Sequence, residues 1–347
     1  MKPDLNLAQF SQFSLTQAQF DALRSDYEEQ VDELFAKYRN VTSVGIGVHT
    51  GHDGASLPAI VVTLEDPKLG PPVPQRGRHG TLVVTEIGGV VAPHALEFAE
   101  PGTEVGQTPY QRMQYPVPCG VSTGPSGQNN IGTLGYHARM GKKKYLLSNN
   151  HVLSRCGRVA IGTPVTQPAE ADMEHGSPRS VATLSYVVPL TRNETATADA
   201  AIAEYGDKIK LAAAVQRDGA EPVPLGTCIV LAEPNLNVVK SGRTTGFTEG
   251  TVVKIGCTVR VGYWCGEVTM TDVIEIMRGD GSDKFSDAGD SGAPVTTEEG
   301  NDPVGMLFGG GTRNGKQVSH ANPIHRVLTA LSAVTPGPVT LLLEADD

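Results

Sequence analysis

Chemistry enters this sequence at Ala288-Gly289-Asp290-Ser291-Gly292-Ala293-Pro294-Val295. Glycines on either side of a serine let the backbone turn sharply, exposing the hydroxyl while the amides of Gly289 and Ser291 point at one spot. A hydroxyl beside two convergent N–H donors is what acyl transfer requires: a nucleophile next to a hole for the oxyanion. Taken alone, Gly-Asp-Ser-Gly is also the composition of an ordinary turn. Its flanks and its partners elsewhere in the chain have to decide between the two.

The run resembles the nucleophile motif of chymotrypsin/trypsin-like serine proteases, in which Gly-Asp-Ser-Gly is followed by a small residue, a proline and an apolar strand; Ala293-Pro294-Val295 fits. That family implies a general base and an orienting carboxylate upstream, in the order His, Asp, Ser. Of nine histidines, His151 has the right setting, because an apolar strand over 144–147 ends in Ser148-Asn149-Asn150 directly before the imidazole. This is similar to the histidine motif of intracellular and bacterial members. Asp199 heads the apolar run Ala200-Ala201-Ile202-Ala203, where a half-buried acid needs a donor. His151 would be that donor, whereas Asp172, Asp207 and Asp218 have no apolar strand after them. Order and spacing of the three agree with the family.

A further stretch, Lys240-Ser241-Gly242-Arg243-Thr244-Thr245-Gly246 and on to Val252, resembles the strand and turn that open the second barrel of alpha-lytic and streptogrisin-like bacterial proteases. Read blandly, it is a Gly-punctuated hairpin. The resemblance implies Ser291 as nucleophile, His151 as base, Asp199 as orienting acid, and the Gly289 and Ser291 amides as oxyanion hole. It also implies that the strand 304–310 lines the specificity pocket, with Phe308, Gly309 and His320 binding a protein or peptide substrate, and with no metal or organic cofactor. Pocket selectivity stays open between a carboxylate from Asp280, Asp283 or Asp287, which favours basic side chains, and a floor made by Phe285 or His320. In zymogen-type relatives the acid at Asp290 pairs with a new N-terminus made by cleavage. Here the pocket is either preformed or gated by the N-terminal segment. A peptide- or partner-binding pseudo-protease and a non-peptide acyl hydrolase are the alternative readings on the same residues.

The elements that must position these groups can be read in order. Apolar residues Phe20, Leu23, Tyr27, Val31, Leu34 and Tyr38 recur at helical spacing within 16–40, with Asp26, Glu28, Glu29, Asp32 and Glu33 on the solvated side. Strand-like runs follow at 41–48, 59–64 and 81–85, so residues 1–92 read as a small α/β N-terminal domain separate from the barrels. Gly45, Gly47 and Gly51 are not a dinucleotide loop, since no helix follows them. Prolines 93, 101, 109, 116 and 118 mark 93–118 as a linker or arm. Strands over 129–136, 144–147, 180–188 and 200–205 make a first barrel within 119–226, where 206–226 is the crossing connection. Strands over 238–241, 251–255, 259–263 and 267–277 belong to a second barrel within 227–347. Asn322 as N-cap and Pro323 at the first helical position predict a C-terminal helix. The fold class is therefore an all-β double antiparallel barrel, chymotrypsin-like, with a C-terminal helix and a small α/β unit in front.

Composition narrows the function classes. The chain has 347 residues, 40 glycines and 24 prolines, which suits many short strands joined by turns. A formal net charge of −10 argues against general nucleic-acid binding. No stretch is long enough to span a bilayer, and the first ten residues lack the continuous apolar core of a secretory signal. Five cysteines without metal spacing suggest reduced thiols and a cytoplasmic location. The overall order is similar to bacterial trypsin-like peptidases and to the plant narrow-leaf protease family, whose plant members assemble as homo-oligomers. Self-association, or a regulatory partner held through the N-terminal domain, is the corresponding expectation.

Overall fold

The computed structural model describes residues 3–51, 54–94, 108–173, 179–219 and 221–344. Pro101 of the expected arm lies outside the described residues. The chain opens with α1 (Gln17–Gln30), capped by Thr16, whose hydroxyl accepts from the Gln19 amide while the Gln19 side chain accepts from the Thr16 amide. Phe20, Leu23, Tyr27 and Leu34 are buried along the expected face. The helix then passes into a wider turn over Val31–Phe35, where the Ala36 amide reaches back to the Val31 carbonyl. One extra residue in that turn rotates Phe35 inward and leaves Tyr38, expected on the buried face, exposed. Asp26, expected in solvent, is buried as well. Its carboxylate accepts the amides of His79 and Thr81 at 2.8 and 3.0 Å and so pins the loop that leads into the third strand.

Strand β1 (Val41–Thr50) pairs antiparallel with β2 (Ser56–Leu64), and β2 pairs parallel with β3 (Val83–Ile87). A two-residue strand β4 (Ala92–Pro93) follows. The first barrel is built from β6 (Ser122–Pro125), β7 (Gly132–Thr133), β8 (Tyr136–Met140), β9 (Lys143–Ser148), the one-turn helix α2 (Asn150–Leu153), β10 (Pro164–Thr166), β11 (Ser180–Val187) and β13 (Ala201–Tyr205), while β5 (Val117–Cys119) and β12 (Thr195–Ala196) of the same stretch pair outside it. Its ladder runs β8-β9-β13-β11-β10-β6-β7 and closes because β7 and β8 are two pieces of one bent run, one pairing β6 and the other β9. Within the crossing connection, β14 (Leu211–Val215) lies parallel to β5 and is flanked by β15 (Val223–Pro224).

The second barrel contains β16 (Asn237–Gly242), β17 (Gly246–Tyr263), β18 (Gly266–Met277), β19 (Pro294–Thr297), β20 (Pro303–Arg313) and β21 (Lys316–Pro323). Its order β16-β17-β18-β21-β20-β19 closes where β19 pairs β16. The double barrel of the expected fold class is thus present. Helix α3 (Ile324–Val334) returns to the first barrel, burying Ile324, Val327 and Leu331 in its core, and β22 (Thr340–Leu341) pairs with β8. Asn322, expected to cap α3, lies in β21; Pro323 takes the cap position.

The runs expected as two strands at 251–255 and 259–263 are one strand of 18 residues. Register shifts against β18 around Gly256, which sits at φ 59°, let this strand bend without ending. Its first part pairs with β16 and its outer part with β1, matching Ile46 to Ile255 and Ser43 to Val259. The helix and three strands at the N-terminus therefore stand as expected, but their sheet is not separate: it extends the second barrel, and the two share one apolar core. A β-edge left over on the long β17–β18 ribbon is covered by β1, which removes an open edge from each. Tyr27 fastens α1 to the same ribbon, donating to the Gly256 carbonyl at 2.7 Å.

Gly45 faces Cys257 across this junction, and a Cβ at that position would lie 2.5 Å from the Cys257 Sγ. Gly45→Ala is expected to cost about 1–3 kcal/mol by overpacking and to lower the midpoint of one cooperative thermal transition. A separate early transition for the N-terminal sheet, with the barrels unaffected, would contradict the shared core.

Candidate active site

The three chemistry-bearing residues come from different elements and meet between the barrels. His151 sits on α2, directly after β9; Asp199 precedes β13; Ser291 lies in the turn before β19. The His151 Nε2 is 2.8 Å from Ser291 Oγ, and its Nδ1 is hydrogen-bonded to Asp199 Oδ2. Asp199 Oδ1 accepts the His151 backbone amide at 3.1 Å. All three side chains are 0% exposed. An imidazole with Nδ1–H directed at a carboxylate presents Nε2 as an acceptor, so the Ser291 hydroxyl can donate to it. A second acceptor, the Phe308 carbonyl, lies 3.0 Å from the same hydroxyl.

The supports of this trio explain the polar residues around it. Asn149 donates to the Asp199 carbonyl at 2.8 Å, Asn150 to the Val188 carbonyl at 2.7 Å, and Asn130 to the His151 carbonyl at 3.0 Å. The Asn322 side chain accepts the Asp199 amide at 2.9 Å. Asn322 thus holds the acid's backbone rather than a helix end, a role invisible to local spacing because 123 residues separate the two. The tip of the β17–β18 ribbon walls the imidazole with Tyr263 and Trp264, whose rings lie 5.7 and 6.3 Å from it. Burial, with the nearby Asp199 carboxylate, pushes the Tyr263 phenol well above its ordinary range, so it stays neutral there. Strand β12, in the loop that carries Asp199, pairs parallel with β18.

Close backbone approach joins the barrels at the serine. The Thr133 amide donates to the Ser291 carbonyl at 2.7 Å, and the Thr133 hydroxyl to the Gly289 carbonyl at 3.0 Å. Gly292 has φ 95°, and a Cβ there would meet the Thr133 carbonyl oxygen at 2.1 Å, so glycine alone fits this position.

Asp290 has an internal partner. Its carboxylate is fully buried 3.4 Å from the Lys240 ammonium, also fully buried, and accepts from the amides of Thr244 and Thr245 and the hydroxyl of Thr245 at 2.8, 3.2 and 2.6 Å. Burial lowers the Lys240 pKa and the Asp290 charge opposes that fall. The Lys240–Gly246 stretch therefore does more than open a barrel: its lysine supplies the cation that holds the turn before Ser291. Next to it Arg243 binds Asp172, its Nε 2.9 Å from the carboxylate, so Asp172 is a structural acid.

The cleft itself holds residues 91–94 of the chain. Val91 is fixed on β17, donating to the Arg260 carbonyl and accepting from the Gly262 amide, both at 2.9 Å. Strand β4 then runs antiparallel to β20, with Ala92 opposite Gly310 and Pro93 opposite Gly309. The His94 amide donates to the Phe308 carbonyl at 3.1 Å, and the His94 carbonyl accepts from the Gly289 amide. The His94 imidazole fills the space over Gly310, where a Cβ would stand 2.4 Å from its Cε1, and its Nδ1 is 3.1 Å from Ser286 Oγ, which contacts Ser319 Oγ at 2.6 Å. Burial pulls the His94 pKa down to about 4 against the charges of Asp290 and Asp287.

Of the residues expected to bind substrate, Phe308 and Gly309 face this segment. His320 pairs with Gly309 through the backbone, but its Nε2 points to Glu275 at 3.4 Å, so it does not form the polar contact with His94; Ser286 does. Asp280 and Asp283 are exposed, Asp287 is ion-paired with Lys284 at 2.8 Å, and Phe285 is buried with its carbonyl accepting from Thr248. None of the three acids supplies a buried pocket carboxylate. The occupation of the cleft by 91–94 carried no local sequence signal, because it is a long-range strand pairing inside a proline-rich run.

No family model and no curated protein matches the chain. Among solved structures, Thermobifida fusca Protease A is 20% identical, with 66% of this chain and 99% of that one covered and a TM-score of 0.46. Cellulomonas bogoriensis chymotrypsin is 20% identical, covering 66% and 99%, with a TM-score of 0.45. A glutamic-acid-specific serine protease that uses a histidine triad in substrate binding is 20% identical, covering 65% and 100%, with a TM-score of 0.45.

Removing one member of a buried ion pair strands the other, at a cost of about 3–5 kcal/mol. Lys240→Met is expected to destabilise the protein by that amount in urea unfolding, and adding Asp290→Asn to restore part of it. A loss below about 1 kcal/mol would show that Lys240 does not hold the Asp290 charge.

Proposed function

We propose that this protein is a serine endopeptidase. The observation that carries the reading is the His151 imidazole hydrogen-bonded at Nδ1 to Asp199 and 2.8 Å from Ser291 Oγ at Nε2. In this reading Ser291 attacks a peptide carbonyl and passes its proton to His151 Nε2, while Asp199 keeps the imidazole in the tautomer that can accept it. The developing oxyanion is received by the Gly289 amide, with the Ser291 amide as the second donor, an effect of about 3–4 kcal/mol for one donor in comparable sites. His151 then hands the proton to the leaving amine, and water resolves the acyl-enzyme by the reverse sequence.

Peptide is favoured over other acyl substrates by the β20 edge. An extended chain beside the nucleophile gains main-chain hydrogen bonds from it before any side chain is read, and β4 pairs with Gly309 and Gly310 in this manner. The internal Lys240–Asp290 pair supports a serine turn that is held without a newly cut N-terminus.

Asp199→Asn leaves the shape but favours the wrong imidazole tautomer, and is expected to lower kcat on the order of 10⁴-fold. Ser291→Ala is expected to abolish peptide hydrolysis while the thermal midpoint stays near that of the parent. Undiminished hydrolysis by Ser291→Ala would remove the assignment.

A further inference from the structure

Residues 91–94 lie in the cleft as a substrate lies, and this rests on the endopeptidase reading above. Three contacts define the pose. The strand direction is antiparallel to β20, the amide of His94 bonds to the Phe308 carbonyl, and the carbonyl of His94 bonds to the Gly289 amide. In the reading above that amide receives the oxyanion, and a carbonyl bonded to it stands where the electrophile for Ser291 would stand. Pro93 faces Gly309 at a position that asks no N–H of it. The imidazole of His94 fills the side-chain pocket between Gly310 and Ser286. A chance loop would have no reason to satisfy the main-chain, carbonyl and side-chain sites together.

We infer that the enzyme cleaves its own chain at the His94–Ala95 peptide bond, and that its primary pocket accepts histidine in substrates. Ser291 Oγ adds to the His94 carbonyl carbon as its proton moves to His151 Nε2. The tetrahedral adduct collapses, the His94–Ala95 C–N bond breaks, and His151 protonates the departing Ala95 nitrogen. Water, deprotonated by His151, then attacks the ester; the C–O bond to Ser291 breaks and the proton returns to its oxygen. The products are a carboxylate at His94 and an amine at Ala95, with no change in oxidation state.

The reaction is intramolecular because Val91 is bonded to β17 on the same chain. The fragment 1–94 stays attached after the cut, since β1 remains paired with β17 and Tyr27 with Gly256. Loss of the His94 carboxylate from the cleft, rather than loss of the whole N-terminal sheet, is what opens the site to other peptides.

The test follows the denatured intact mass of the full-length protein with time at several concentrations, beside Ser291→Ala and His94→Gly. Conversion to two fragments, ending at His94 and starting at Ala95, is expected at a rate independent of concentration. The fragments should co-elute in native gel filtration, and Ser291→Ala should stay whole. His94→Gly empties the pocket and is expected to slow the cut at least about a hundredfold and to take a fluorophosphonate adduct on Ser291. If His94→Gly takes the adduct while the parent chain stays whole, is cut elsewhere, or is cut at a rate that rises with concentration, self-cleavage at this bond is wrong and the hydrolase reading stands. If there is neither cut nor adduct, both fall.

Discussion

A carboxylate removed entirely from water has to be met by donors, and the site is built around meeting that demand at Asp199. One oxygen takes the His151 amide and the other the imidazole Nδ1. Once Nδ1 is committed, Nε2 is the only nitrogen left to face Ser291, so tautomer and aim follow from the same bond. Asn322 from β21 and Asn149, which follows β9 and precedes α2, fix the backbone on either side of the acid. The acid, its base and their supports thus come from both barrels, and the trio exists only while the barrels are docked.

Docking in turn depends on the β17–β18 ribbon. Its inner part belongs to the second barrel, its tip carries Tyr263 and Trp264 against the imidazole, and its edge takes β12 on the Asp199 loop. The outer edge takes β1 and, through Val91, the start of the segment in the cleft. A buried charge network along the same ribbon ties in β3: Lys254 lies 2.9 Å from Glu275 and 3.5 Å from Glu86, and Arg313 lies 2.8 and 3.3 Å from the same two acids. Burial alone would raise the Glu275 pKa, but Lys254, His320 and Arg313 hold it well below the ordinary carboxylate range. The N-terminal sheet is therefore bonded to the elements that wall the site, which gives residues 91–94 a fixed point from which to enter it.

Much of this was legible from residues alone. Gly-Asp-Ser-Gly, the strand ending in His151 and the apolar run after Asp199 each have a local signature, because a sharp turn, a strand end and a buried acid each restrict residue type over a few positions. The same holds for α1, where the helical spacing of Phe20, Leu23, Tyr27 and Leu34 marked the buried face. It failed at Tyr38 and Asp26: a single wide turn shifts the register of everything after it, and an acid on a polar face can be claimed by amides 53 and 55 residues away.

What the sequence by itself determined is which of His151, Asp199 and Ser291 come together, their order, and the barrel architecture that holds them, since these rest on short-range pattern and residue chemistry. The tertiary structure alone decided that Lys240 answers Asp290, that Asn322 serves Asp199 instead of a helix, that the N-terminal sheet continues the second barrel, and that His94 rather than any acid lies between Gly310 and Ser286. Each of these is a pairing between residues far apart in the chain, satisfied by backbone groups that every residue carries, and so leaves no trace in local composition.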